Sequence, residues 1–471
     1  MFVPSCPRSE DGPGFPRQPV IDVIHGFGVQ EDGAREQVIA GALHAERHPE
    51  SQRSGLRARQ IEELREGFPA FRTSEQPLLQ LGGNLPDQCR FIRVDLWSPT
   101  RIDRDSTQIL STLPAPAGPH PLGTVAVHLV DRARVDPWQD SRPVRELMIQ
   151  LWYPARAAHG HPPAPWMSPG AVTFFEREQG IPQGALLLPT THAQPAAPAD
   201  RGRCRRPVVL YSPGLRSDRS LGTVLIEELA SHGYLVVAID HTYDADQVEF
   251  PGGRVETFAI TGDIDDALIA KALAVRTADT RFVLDQLTAL NAGHNTDAGR
   301  RPLPPTLTGA FDLSRVGMLG HSLGGATAAA AIRADRRLQA GVNLDGSLLP
   351  PVTAGTDRPF LLLGSDPGPG PEDPSWDQFW AGQYGWKREL ALIGSTHTSF
   401  TDLETLLPQA APVLGLTSGQ VTQAIGTLDP HRAIHAQRDY VRAFFDLHLR
   451  HLDNHLLQRP STRYPQIRFL R

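Results

Sequence analysis

Ser322 lies in the run Val316-Gly-Met-Leu-Gly-His-Ser-Leu-Gly-Gly325, inside a G-x-S-x-G pattern that spans Gly320 to Gly324. A serine hydroxyl is a weak nucleophile until a neighbouring base takes its proton. This pattern suits the task. It places the serine on a tight strand-to-helix turn with its hydroxyl above a parallel sheet. The N-terminus of the following helix favours negative charge developing there. The alternative is an accidental match, a plain Gly-rich turn. Context argues against it, because an apolar run (315–319) leads in and an Ala-rich run of helix formers (324–333) leads out.

An attacking serine needs a base, and the base needs a carboxylate to orient it. With the order serine, acid, histidine, the base must come from the C-terminal part. The candidates there are His397, His431, His435, His448, His451 and His455. The last five fall in or beside a polar helical pattern, where a solvated face explains them. His397 stands apart, in the loop Gly394-Ser-Thr-His-Thr-Ser-Phe400 after an apolar run, and is the expected base. Two aspartates compete as the acid. Asp345 follows one strand pattern in Asn343-Leu-Asp-Gly346, and Asp366 follows the next in Gly364-Ser-Asp-Pro367. The commoner arrangement in such folds favours Asp366, and either could be a simple Asx turn. The negative charge of an ester transition state needs backbone donors. The N–H of Leu323 and the N–H of Leu215, in Ser212-Pro-Gly-Leu-Arg-Ser217, are the expected pair. No spacing suits a metal, and no cofactor is expected. Five aromatics fall within Trp376 to Trp386. Of these, Trp376, Phe379, Trp380 and Trp386 are candidates either for substrate contact or for packing a helix onto the sheet.

These residues need a scaffold that brings distant loops together. Strand patterns at 124–131 and 146–153 read as an antiparallel pair. Apolar strands at 207–211, 234–240, 315–319, 339–344, 359–364 and 389–393 alternate with helices near 221–232, 263–291 and 324–333. Helices at 402–411, 418–427 and 430–451 follow. Such alternation predicts an α/β class, with a mainly parallel sheet and helices on both faces. Residues 1–112 are rich in Pro, Gly, Arg, Glu and Gln without apolar periodicity, so a poorly ordered or peripheral extension is expected. The expected catalytic domain is 113–452, followed by a tail at 453–471.

The 471 residues carry 46 Lys and Arg against 52 Asp and Glu, a net charge of −6 that gives no basic footprint for nucleic acid. No apolar run is long enough to span a membrane. The first thirty residues lack the basic start and apolar core of an export signal, so cytoplasmic placement is the default, with secretion if the true start differs. Cys6, Cys89 and Cys204 make no paired motif, and ordinary unpaired cysteines are expected, with at most one disulfide.

Several of these runs in order resemble the platelet-activating-factor acetylhydrolases, in particular actinomycete-type members of that α/β-hydrolase group. They are Tyr211-Ser-Pro-Gly-Leu-Arg, Leu229-Ala-Ser-His-Gly-Tyr-Leu-Val-Val-Ala-Ile-Asp-His241, Gly320-His-Ser-Leu-Gly-Gly325, Asn343-Leu-Asp-Gly346 and Thr396-His-Thr-Ser-Phe-Thr-Asp402. The likeness covers about 113–450. It implies that the acid follows the strand directly after the serine helix, which is Asp345. It also implies a metal-independent enzyme that removes short or oxidised acyl groups from the sn-2 position of phospholipids. The expected partner is a small lipid or related ester, with transient contact to a lipid surface. Rival expectations are a general carboxylesterase or polyester hydrolase, an acyltransferase on small esters, and a non-catalytic binding protein on the same fold.

Overall fold

A computed structural model describes residues 111–471, apart from 157–161, 179–180, 182, 185–186, 203, 351–354 and 369–372. The extension expected at 1–112 lies outside the described residues except for Ser111 and Thr112.

Two strands, β1 (Leu122–Asp131) and β2 (Arg145–Pro154), form the antiparallel pair. Helix α1 (Pro169–Glu178) and a short β3 (Ala193–Pro195) precede the alternating part of the chain. There β4 (Arg206–Ser212), α2 (Thr223–Ser231) and β5 (Leu235–Asp240) follow in turn. A small hairpin, β6 (Gln247–Glu249) and β7 (Val255–Thr257), leads to the long helix α3 (Asp266–Asn291). Then come β8 (Phe311–His321), α4 (Leu323–Ala334), β9 (Leu338–Leu344), β10 (Phe360–Gly364), α5 (Pro374–Gly382) and β11 (Lys387–Leu392). The helices α6 (Leu403–Leu414), α7 (Ser418–Ile425) and α8 (Pro430–Arg450) and a last strand β12 (Ile467–Phe469) close the chain.

The ten-stranded sheet has the order β12-β11-β10-β9-β8-β4-β5-β2-β1-β3. Its centre, from β11 to β5, is parallel. Residues alternate between its faces. Val208, Leu210, Val237, Val316 and Met318 pack with α3 and α4 on one side. Val209, Tyr211, Val236, Leu319 and Val342 pack with α2 and α8 on the other. Burial on both faces is why these strands read as continuous apolar runs. The expected fold class is the one observed.

The central strand β4 carries the topological consequence. The chain leaves it for β5 on one side and later returns to β8 on the other. The C-terminal ends of β4 and β8 therefore flank the crevice where such sheets place their ligand sites.

Two expectations change. Residues 453–471, expected as a tail beyond the catalytic domain, pack onto it. Ile467 pairs with Leu392 across β12 and β11, Leu457 and Tyr464 join the core, and Arg471 pairs with Glu389. A three-residue strand is too short to leave a periodic signature. Cys204 is disulfide-bonded rather than unpaired.

Candidate active site

Ser322 occupies the single residue between β8 and α4, with φ 56° and ψ −126°. A non-glycine residue at positive φ is strained by about 1–3 kcal/mol, so the surroundings must impose it. They do. The Ser322 N–H donates to the Leu344 carbonyl at 2.9 Å, and its own carbonyl accepts from Gly325 N–H at 2.8 Å. The pattern's glycines have a steric cause. A Cβ on Gly320 would lie 2.1 Å from the Gly324 carbonyl oxygen, and one on Gly324 would lie 1.9 Å from that of Ser212. Strand, helix and the end of β4 meet with no room for a methyl group.

His397 opens a short 3-10 turn, His397–Phe400, just after β11. Its loop is tied to α7 and the turn beyond. Thr396 Oγ1 donates to the Ala424 carbonyl at 2.5 Å and Ser399 Oγ to that of Ile425 at 2.8 Å. The Leu428 N–H donates to Gly394 O at 2.9 Å. His397 Nδ1 meets Asp345 Oδ2 at 2.7 Å, which leaves Nε2 as the free ring nitrogen. Asp345 follows β9 at positive φ, and its other oxygen accepts from Ser365 N–H at 2.7 Å. Burial pushes the Asp345 carboxyl up, but the hydrogen bond and charge of His397 win, aided by Ser365, and it is held below the usual carboxylate range. It faces His397 as an anion.

Asp366, the rival acid, accepts from Gly368 N–H at 3.1 Å and Gly394 N–H at 2.9 Å. It anchors the stem of the histidine loop and makes no hydrogen bond to His397. Among the other histidines, His448 of α8 packs against Trp386 and Phe444, and burial lowers its pKa to about 4.

The loop after β4 lies against the serine. A Cβ placed on Gly214 would stand 3.3 Å from Ser322 Cβ. Among the described residues, neither Leu215 N–H nor Leu323 N–H donates to a protein acceptor, so both are available to an incoming group.

The aromatic segment divides. Phe379 is fully buried and packs on Phe360, and Trp386 packs on Phe444 of α8. Trp380 lies under Lys387 and Arg471. These three make packing contacts with the sheet and with α8 and the C-terminal segment. Trp376 alone comes close to the site. Its indole N–H donates to Gly346 O at 2.8 Å, and its ring closes a small cavity beside Asp345.

The sequence reading missed two groups. His321 Nε2 must donate to the His397 carbonyl oxygen, 3.0 Å away, since that oxygen can only accept. Burial, then the neighbouring His397, pull its pKa down to about 3, so it stays neutral. The second group is a buried charged cluster beneath the β4 loop: Asp244, Arg276, His241, Asp279 and Arg145. Taken singly, each reads as an ordinary polar residue. The available signal was Arg276 and Asp279, which share the face of α3 that buries Ala272, Val283 and Leu287. Charged residues at core-facing helical positions need partners.

The model of the family described as platelet-activating factor acetylhydrolase, isoform II, matches residues 111–459. The chain belongs to this family. A probable 1-alkyl-2-acetylglycerophosphocholine esterase of Arthroderma benhamiae is 27% identical over 386 residues, covering 76% of this chain and 93% of that protein. The platelet-activating factor acetylhydrolase of Cavia porcellus is 24% identical, covering 54% of this chain and 63% of its own length. A solved ferulic acid esterase from Streptomyces cinnamoneus is similar at 37% identity with TM-score 0.64, over 77% of this chain and 99% of that one. The family member described here is a carboxylic ester hydrolase on an α/β-hydrolase fold.

Proposed function

We propose that Ser322 is the nucleophile, His397 the base and Asp345 the orienting acid of an esterase that releases short acyl groups from the sn-2 position of phospholipids. The observation that carries the triad is the 2.7 Å contact from Asp345 to His397 Nδ1, beside a serine held at positive φ. Ser322 Oγ attacks the ester carbonyl carbon while its proton passes to His397 Nε2. The carbonyl oxygen becomes negative and is held by the Leu215 and Leu323 N–H groups. Collapse breaks the bond to the alcohol oxygen, which takes the proton from His397. Water, activated by the same nitrogen, attacks the acyl-enzyme and returns the serine. Asp345 keeps the imidazole proton on Nδ1 and stabilises the imidazolium.

The family and the Arthroderma benhamiae relative support the phospholipid substrate. The 37% identity to a ferulic acid esterase supports a second reading, in which soluble or aromatic esters are the substrates. One panel separates them: an sn-2 acetyl phospholipid, p-nitrophenyl esters of increasing chain length and a feruloyl ester, each with Ser322→Ala as control. The phospholipid reading expects kcat/KM on the acetyl phospholipid to match or exceed that on the soluble esters. It is lost if the phospholipid is untouched while the soluble esters turn over. Activity that survives Ser322→Ala would remove the nucleophile itself.

A further inference from the structure

Beneath the β4 loop, Ser212 Oγ meets His241 Nε2 at 3.0 Å, and His241 Nδ1 meets Asp279 Oδ2 at 3.0 Å. This is a second hydroxyl–imidazole–carboxylate series, but its members are at most 1% exposed and no ester reaches them. Beside it, Arg276 Nε donates to Asp244 Oδ2 at 2.7 Å and Nη2 donates to Asp244 Oδ1, with both side chains fully buried. The same guanidinium reaches two successive carbonyls of the loop. Nη1 donates to Pro213 O at 2.5 Å and Nη2 to Gly214 O at 3.0 Å. On the far side of Leu215, the Arg216 N–H donates to the Asp244 carbonyl at 2.9 Å. Leu215 is thus bracketed by the Arg276 guanidinium on one side and the Asp244 backbone on the other, with Gly214 O also accepting from Ser217 N–H at 3.2 Å.

Peptide geometry gives this arrangement a purpose. In a planar trans peptide the carbonyl oxygen and the following N–H point in opposite directions. The Gly214 carbonyl and the Leu215 N–H belong to one such plane. Holding the carbonyl on Arg276 directs the N–H away from Arg276. Stability alone does not call for such a group, because apolar packing replaces a buried ion pair at little cost. A guanidinium, with five donors in a fixed plane, can hold both carboxylate oxygens and two carbonyls together, four bonds where an ammonium has three donors.

We propose that Arg276, held by Asp244, is a positioning residue. It fixes the Pro213 and Gly214 carbonyls and so aims the Leu215 N–H at the oxygen that turns negative during ester cleavage. This rests on the reading of Leu215 as an oxyanion donor. Arg276→Lys keeps a cation facing Asp244 but cannot hold both carbonyls. The test measures kcat per active site, counted by fluorophosphonate titration to completion, together with KM, the melting temperature and the affinity for a trifluoromethyl ketone that mimics the tetrahedral adduct.

The expected result is a fall in kcat of about 10–100-fold with KM within about twofold, less than removing a donor outright. Trifluoromethyl ketone affinity should fall by a similar factor. A lower melting temperature with unchanged kcat per titrated site means a merely structural role and overturns the proposal. Arg276→Met extends the series, and where it does not fold, Arg276→Lys decides alone. Replacing Leu215 by its α-hydroxy acid, which turns the N–H into an ester oxygen, tests the underlying reading. If that change leaves kcat intact, Leu215 is no donor and both ideas fall. If it lowers kcat while Arg276→Lys does not, only the positioning role fails.

Discussion

Replacing Asp345 by asparagine keeps the side chain's shape and removes its charge. Asp345 accepts hydrogen bonds from Ser365 N–H and from His397 Nδ1, both at 2.7 Å. The Ser365 N–H can only donate, so in Asp345→Asn the amide oxygen must turn to it and the amide NH2 must face His397. His397 Nδ1 then has to accept, and its proton moves to Nε2. The nitrogen that should take the Ser322 proton is already protonated. In a serine triad this wrong tautomer costs on the order of 10⁴ in kcat, or about 5 kcal/mol of transition-state stabilisation. Asp366→Asn is the matched comparison. Each Asp366 oxygen accepts one backbone N–H, from Gly368 and Gly394, so the variant loses one hydrogen bond worth about 1 kcal/mol of stability. Its kcat should stay within about tenfold of the parent, since the triad tautomer is untouched. Initial rates on p-nitrophenyl acetate near neutral pH, with folding checked by circular dichroism, measure both. The reasoning is refuted if Asp345→Asn keeps near-parent kcat, or if Asp366→Asn loses more than Asp345→Asn.

Three further outcomes are expected. Gly320→Ala places a methyl 2.1 Å from the Gly324 carbonyl and should lower the melting temperature sharply and abolish activity, whereas Gly419→Ala in α7, with its nearest neighbour 3.9 Å away, should be tolerated; equal melting curves would contradict the steric reading of the corner. Glu404 is fully buried, and burial raises its pKa to about 8 in the folded chain, so folding takes up a proton between the unfolded value of about 4.3 and 8. The parent therefore loses about 1.4 kcal/mol per pH unit from this group as pH rises across that window, and the stability gain of Glu404→Gln should grow from pH 5 to pH 8 in urea titrations; a gain independent of pH would show that Glu404 ionises freely. Deleting residues 453–471 removes the buried Leu457, Tyr464 and Ile467, each contributing about 1.5–3 kcal/mol, and should lower the melting temperature by many degrees or prevent folding; an unchanged melting curve would make the segment dispensable.

The parallel sheet was legible because β4, β5, β8 and β9 are buried on both faces and stand out as apolar runs. The elements that escaped, β3, β6, β7 and β12, have three residues each, too few for any period to show. Ser322 and His397 could be singled out from local context. The carboxylate partner of His397 could not, because Asp345 and Asp366 share one local signature, an aspartate at a strand end before a turn. What separates them is the spatial position of the histidine loop, which accepts a carboxylate from the end of β9 and a stem anchor from the end of β10. The Arg276 cluster was illegible for a different reason. Its members come from β2, the β5 turn and α3, and each alone looks like a solvated charge.

The sheet order also has a consequence for a chain being made from its N-terminus. Ser322 leaves the ribosome 75 residues before His397 (397 − 322), and the α7 and α8 segments that buttress the histidine loop come later still. On the proposed triad, the hydroxyl has no imidazole to draw off its proton until β11 pairs and the His397 loop closes over it. On that reading nascent and half-folded chains are inert towards the esters around them, and reactivity waits on this long-range closure.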